Sequence, residues 1–133
     1  ELPSTIAIWS GGGFMISYLR DIKWLNKKNI FYWGDLDTHG FVILHQMRSY
    51  FSHTKSVMMD MNTFELFKGE GLVSGEIVNI KILSTLNTSE METFIFLKEN
   101  NLRLEQEKIR QDYADFFLKK LISNLIIDSS IYK

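Results

Sequence analysis

A chain of 133 residues, 45% hydrophobic and 23% charged, is long and apolar enough to bury a core as one domain. It has no cysteine, which excludes a disulfide framework, thiolate chemistry and a zinc ribbon. Its 15 Lys and Arg against 16 Asp and Glu leave a formal charge of −1, so nucleic acid cannot be held by global charge, and no apolar run reaches the ~20 residues of a membrane-spanning helix; a cytoplasmic location is expected.

In chain order, Thr5-Ile6-Ala7-Ile8-Trp9 reads as a short buried strand that ends at Ser10-Gly11-Gly12-Gly13. Apolar residues at Phe14, Tyr18, Ile22 and Leu25 then predict a helix over 14–26. Exposed N–H groups at Gly12 and Gly13 before a helix would suit a phosphate, including one of DNA. The run fits neither Gly-x-Gly-x-x-Gly nor a Walker loop, so a flexible strand-to-helix turn is the favoured role.

The stretch Asn29 to Phe41 organises the rest. An aromatic, apolar strand stops at Gly34, two carboxylates follow at Asp35 and Asp37, and Thr38-His39-Gly40 leads into a helix over 41–51. Ligands of open α/β sheets bind beyond the carboxyl ends of the strands, and this is such an end. In extended backbone residues i and i+2 point the same way, so Asp35 and Asp37 can aim at one point. Two carboxylates held together repel unless a cation lies between them, and a hard divalent ion such as Mg²⁺ is the usual answer. A plainer reading makes Asp37 or Thr38 the helix N-cap and Asp35 a turn residue. An EF-hand reading is poor, because Gln46 stands where a bidentate Glu is needed and a strand precedes the pair.

Lys55 to Met59 predicts a third strand, stopping at Asp60. Strands separated by helices of this length imply right-handed crossovers and a parallel sheet, with Asp60 on the same edge as Asp35 and Asp37. Asp60 serves equally well as a cap for a short helix over 62–67. Lys68 to Glu76 reads as a glycine-bearing loop. Asn87-x-x-Glu90 is a capping-box pattern opening a helix through about Lys98, and Asn100-Asn101 ends it. Leu102 to Glu105 is a brief strand or turn into a final helix, roughly Gln106 to Leu125.

His39 sits beside the acidic pair, within reach of a phosphate; His45 and His53 read as surface residues, and the three show no zinc spacing. Arg103, Lys108 and Arg110 form either a local phosphate patch or ordinary surface charge.

Three motifs in order, Trp33-Gly34-Asp35-Leu36-Asp37-Thr38-His39-Gly40-Phe41, Ser56-Val57-Met58-Met59-Asp60 and Arg103-Leu104-Glu105-Gln106-Glu107, resemble the carboxyl-terminal domain of the JetD family, the nuclease subunits of the Wadjet anti-plasmid defence system. The similarity runs from about Ile6 to Leu121. That domain is Toprim-like and related to the A subunit of topoisomerase VI. A Toprim site holds Mg²⁺ or Mn²⁺ with an Asp-x-Asp pair and a separate Glu, and cuts or transfers a DNA phosphodiester.

The resemblance implies an α/β, Toprim-like fold: a small, mainly parallel sheet flanked by helices, followed by a helical C-terminal part. It implies Asp35 and Asp37 as the catalytic metal-binding pair, with Asp60 and Glu105 as further metal candidates. Gly12, Gly13, His39 and Arg103 are the candidates for DNA phosphate. The implied partners are DNA, other subunits of an SMC-like defence complex and a second copy of the chain, with no membrane.

One departure stands out. The Toprim Glu follows the first strand, whereas Thr5–Trp9 ends in Ser10 and glycines, and Glu1 precedes that strand. Residues 1–133 are therefore expected to be a single domain lacking the strand and Glu upstream of residue 1. The full-length protein would be a Mg-dependent endodeoxyribonuclease and the fragment inactive. The alternatives are a non-catalytic Toprim-like assembly module or, behind it, a haloacid-dehalogenase-type phosphatase, whose pattern puts Thr or Val where His39 stands.

Overall fold

The structure, a computed structural model, describes residues 2–76, 78–79 and 82–131; Glu1 lies outside them. The fold is α/β, with five α-helices and two small sheets among the described residues, and it closes on a C-terminal helix. The chain divides into two compact units, residues 10–108 and residues 1–9 with 109–133.

The larger unit begins at the glycine turn, where Gly11 and Gly12 take positive φ. The helix expected over 14–26 is instead a single turn, α1 (Gly13–Ile16), followed by 3₁₀ turns at Ser17–Leu19 and Lys23–Lys27. The reason lies in the spacing. Ile16, Leu19, Ile22 and Leu25 recur every three residues, the period of a 3₁₀ turn, and all pack into one cluster with Ile30, Met47 and Phe51. Phe14 and Tyr18, two of the residues whose spacing predicted that helix, are exposed and meet edge to face.

β1 (Phe31–Tyr32) pairs in parallel with β2 (Lys55–Ser56), and α2 (Thr38–Tyr50) is the crossover between them. Backbone bonds from Lys55 N–H to the Ile30 carbonyl and from Val57 N–H to the Tyr32 carbonyl extend the pairing at both ends. β2 is shorter than the 55–59 run suggested because buried Met58 adopts φ 54°, a left-handed conformation that ends an extended segment. α3 (Met61–Phe67) follows, capped by Asp60.

The stretch read as a glycine-bearing loop contains a strand. β3 (Leu72–Ser74) pairs antiparallel with β4 (Leu102–Leu104), with α4 (Thr88–Asn100) between them in sequence. α4 carries the expected capping box, Asn87 Oδ1 accepting from Glu90 N–H and Glu90 Oε2 accepting from Asn87 N–H, each at 2.9 Å. Asn101, at φ 50° and ψ 52°, ends it.

One isolated antiparallel bridge, Leu36 to Leu104, links the segment leaving β1 to β4. Its two bonds measure 2.9 and 3.1 Å, and both leucines are fully buried. They join a core containing Phe41, Leu44, Phe64, Phe94 and Leu97, in which the Phe41 and Phe94 rings meet edge to face at 6.2 Å.

In the smaller unit, α5 (Gln111–Ile131) is the final helix, starting later than expected because a 3₁₀ turn at Gln106–Lys108 precedes it. Residues 5–9, expected as a strand, pair with no strand among the described residues, and Ile6, Ile8 and Trp9 are exposed. An apolar run becomes a strand only where another strand offers its backbone groups.

Candidate acidic site at the Leu36–Leu104 bridge

The bridge explains the site. Side chains alternate across an extended ladder, so where Leu36 and Leu104 face the core their neighbours face the other way. Asp35 and Asp37 flank one leucine, and Arg103 and Glu105 flank the other. Residues almost seventy positions apart thus meet on one face.

Asp35 uses both oxygens. Oδ1 accepts from Gln106 N–H at 2.8 Å, and Oδ2 from Arg103 Nη2 at 3.1 Å. Asp37 caps α2 with Oδ1, accepting from Gly40 N–H at 2.6 Å. Its Oδ2 lies 3.6 Å from Arg103 Nε, an ion pair too long for a hydrogen bond, and that buried Nε has no hydrogen-bond partner. Arg103 Nη2 also pairs with Glu105 Oε1 at 3.2 Å. One guanidinium therefore serves three carboxylates.

Burial decides the electrostatics. Asp37 is 4% exposed, and burial, reinforced by the negative charge of Asp35, raises its pKa, while the Gly40 N–H, Arg103 and His39 pull the other way. The Tyr32 phenol is also pushed up, by burial first and then by Asp37 and Asp35, so it stays protonated beside the pair. Tyr32 is a residue the sequence reading missed. Its signal is Gly34, where an added Cβ would run into the Tyr32 hydroxyl, so the ring folds back over the glycine toward the aspartates. Gly40 is small for a related reason: a Cβ there would strike the carbonyl oxygen of Asp35.

Glu76 was likewise not anticipated. Its carbonyl accepts from Thr38 Oγ1 at 3.1 Å, and its carboxylate lies 2.9 Å from His39 Nε2, so His39 has an acidic neighbour. The remaining candidates have other contacts. Asp60 Oδ1 accepts from Thr63 N–H at 2.7 Å and caps α3. Gly13 packs against Ile43 and Gln46, about 8–12 Å along the α2 axis from its start at Thr38. His45 pairs with Thr85 Oγ1 at 2.7 Å and His53 with the Lys28 carbonyl at 2.9 Å.

As arranged, these donors do not fit a divalent metal. Among the described residues no three Asp, Glu or His groups converge on a point that could hold an ion. Each aspartate has an oxygen committed to a backbone N–H, and the cation position between the two is filled by Arg103.

The fold and site define a class: an α/β domain with an acidic, arginine-bridged centre at the carboxyl end of a parallel strand. The model of one family, the C-terminal region of the Wadjet protein JetD, matches residues 1–117, and the chain belongs to that family. No curated protein matches the chain. Membership gives the chain a role in Wadjet defence, as part of a defence complex. No helix among the described residues is long and apolar enough to cross a membrane.

Proposed function

We propose that this domain serves Wadjet defence by cleaving a DNA phosphodiester in the cytoplasm, as a Toprim-like nuclease domain. Asp35 and Asp37 are its catalytic pair and its ligands for Mg²⁺ or Mn²⁺. The observation that carries the reading is the acidic pair itself: two aspartates, one nearly buried, held on one face just past a parallel strand, with Glu105 on the same face. Helix α2 alone would explain Asp37 as a cap but gives no reason for Asp35 and Glu105 to crowd beside it. Glu105 is the third carboxylate of this reading. Arg103 and His39 are its contacts to DNA phosphate, and DNA, the other subunits of the SMC-like complex and a second copy of the chain are its partners.

The test is plasmid restriction by the assembled defence system, together with nicking of supercoiled plasmid in Mg²⁺ or Mn²⁺. Asp35→Asn preserves size and should abolish both. Undiminished plasmid loss with Asp35→Asn would favour a second reading, a non-catalytic assembly module. That reading has one observation on its side, the arginine that fills the cation position.

A further inference from the structure

The stretch from Phe14 to Lys28 turns two kinds of side chain outward. Ile16, Leu19, Ile22 and Leu25 take the core-facing place in each turn, so the residues between them are left toward solvent. Three of these are aromatic: Phe14, Tyr18 and Trp24 are 76%, 63% and 52% exposed, and the first two rings meet edge to face at 5.8 Å. Four are cations, Arg20, Lys23, Lys27 and Lys28, all exposed. With Asp21 as its one acid, the stretch carries +3 in a chain of net charge −1. Arg20 lies 3.5 Å from Asp21, and none of the three lysines has an ion pair among the described residues. The basic surface continues past Lys28. His53 Nε2 lies 2.9 Å from the Lys28 carbonyl oxygen, and Lys55 N–H donates to the Ile30 carbonyl, which sets both residues beside the end of the stretch. A cavity of about 450 Å³ opens there, lined by Ser52, His53 and Lys55 among others and by no carboxylate. Arg48 also lines it, with its charge met by Glu90.

We propose that this face binds single-stranded DNA: its exposed rings stack on unpaired bases, while Lys23, Lys27 and Lys28 follow the phosphates toward Lys55. Charge and ring together select the occupant. A protein partner seated on the rings would have to strip water from the lysines among them, and lysine is scarce at the core of protein interfaces. A DNA duplex would use the lysines and leave the rings idle, because its bases are stacked on one another and present only their edges. An unpaired strand uses both, since every base has a face on which a ring can stack and each phosphate carries a charge for a cation. The surface shares no residue with the acidic site, so it stands whether or not Asp35 and Asp37 are catalytic. Only the choice of DNA over RNA rests on the cleavage proposed above.

Fluorescence anisotropy of a labelled oligothymidine of about 20 nucleotides, in low salt and without added metal, tests this on the full chain. Wild type should bind the single strand at least about fivefold more tightly than a duplex of the same length, and no more weakly than the matching oligouridine. Trp24→Ala should lose about tenfold in affinity, and Trp24→Phe, which keeps a ring, less than about threefold. Removing Lys27 and Lys28 together as glutamines should weaken binding and flatten its salt dependence by about 0.7 for each cation removed. Lys68→Gln, which removes a cation outside the stretch, should do neither. In wild type the oligonucleotide should quench Trp24 fluorescence, a change that Trp24→Phe abolishes while Trp9 and Trp33 remain. Every substituted side chain is exposed or half-exposed, and matched circular-dichroism spectra confirm that the variants fold. Equal affinity in wild type and Trp24→Ala, with no quenching, would overturn the stacking. A preference for duplex or for oligouridine would overturn the partner. Absence of binding in wild type would overturn the surface, leaving the acidic site to be judged by plasmid nicking. Intact DNA affinity in Trp24→Ala with weakened retention of the other defence subunits would make the face a protein contact and refute the proposal.

Discussion

The Asp37 carboxylate divides its oxygens between two duties, one capping α2 through Gly40 N–H and the other facing Arg103. That division relies on Gly40. The start of α2 lies so close to the preceding loop that a methyl group at 40 would meet the Asp35 carbonyl oxygen and come within 3.4 Å of Asp37 Oδ1. Neither atom can yield without moving the loop that carries both aspartates. Gly40→Ala should therefore destabilise the protein by about 1–3 kcal/mol, as overpacking does. Gly69→Ala, where nothing lies within 4 Å, should leave stability within about 0.5 kcal/mol. Urea unfolding of the two variants checks the contrast, and equal midpoints would contradict the close approach.

At the scale of elements, α4 is held at its N-terminus by a reciprocal cap. Asn87 and Glu90 each accept from the other's backbone N–H. Removing one half with Asn87→Ala should cost about 1 kcal/mol. Asn87→Ser, which can still accept from the Glu90 N–H, should recover most of the loss. Thermal melts followed by circular dichroism separate the two; identical melting of Asn87→Ala and wild type would deny the cap any energetic role. β3 shows the opposite case. Leu72 and Val73 are exposed and Ser74 offers no apolar face, so no alternation marks the strand; it exists because β4 presents a backbone edge.

At the scale of the molecule, the larger unit is tied together by a buried pair that no motif announced. Arg48 of α2 meets Glu90 of α4, while Ser56 of β2 donates to the same carboxylate at 2.6 Å. Arg48 also donates to the carbonyls of Thr54 and Thr85, both at 2.9 Å. Burial by itself would raise the Glu90 pKa, but the hydrogen bonds from Arg48, Ser56 and Asn87 N–H, with the Arg48 charge, outweigh it and hold the carboxyl below its usual 4.5. A carboxyl with a lowered folded pKa contributes stability that is fully present above its unfolded value and is lost as pH falls through the folded value. Asp37 has the opposite sign: its raised pKa favours the protonated form in the fold, so its ionisation costs stability above the usual 3.8. Unfolding free energy should thus fall as pH drops below about 4.5, and Glu90→Gln should flatten that fall. At neutral pH the same variant leaves Arg48 buried without its counter-ion and should cost about 3 kcal/mol. Urea titrations between pH 3 and 7 measure both, and a slope unchanged in Glu90→Gln would show that another group controls it.

What the sequence determined by itself is local chemistry. An aromatic run ending in Gly34, Asp35 and Asp37, an Asn-x-x-Glu box at 87–90 and an Asn-Asn stop at 100–101 express their backbone preferences within a few residues, so a strand end, a helix start and a helix end were legible. The crossover between two parallel strands followed from the same spacing. Only the tertiary structure decided which charges meet. Arg103 and Glu105 reach Asp35 and Asp37 because Leu104 pairs with Leu36, sixty-eight residues away, and ladder register depends on burying both leucines together rather than on any nearby residue. The same holds for residues 5–9: the run is strand-like in composition, but a strand forms only when another backbone accepts its hydrogen bonds, a condition no single segment carries in its own sequence.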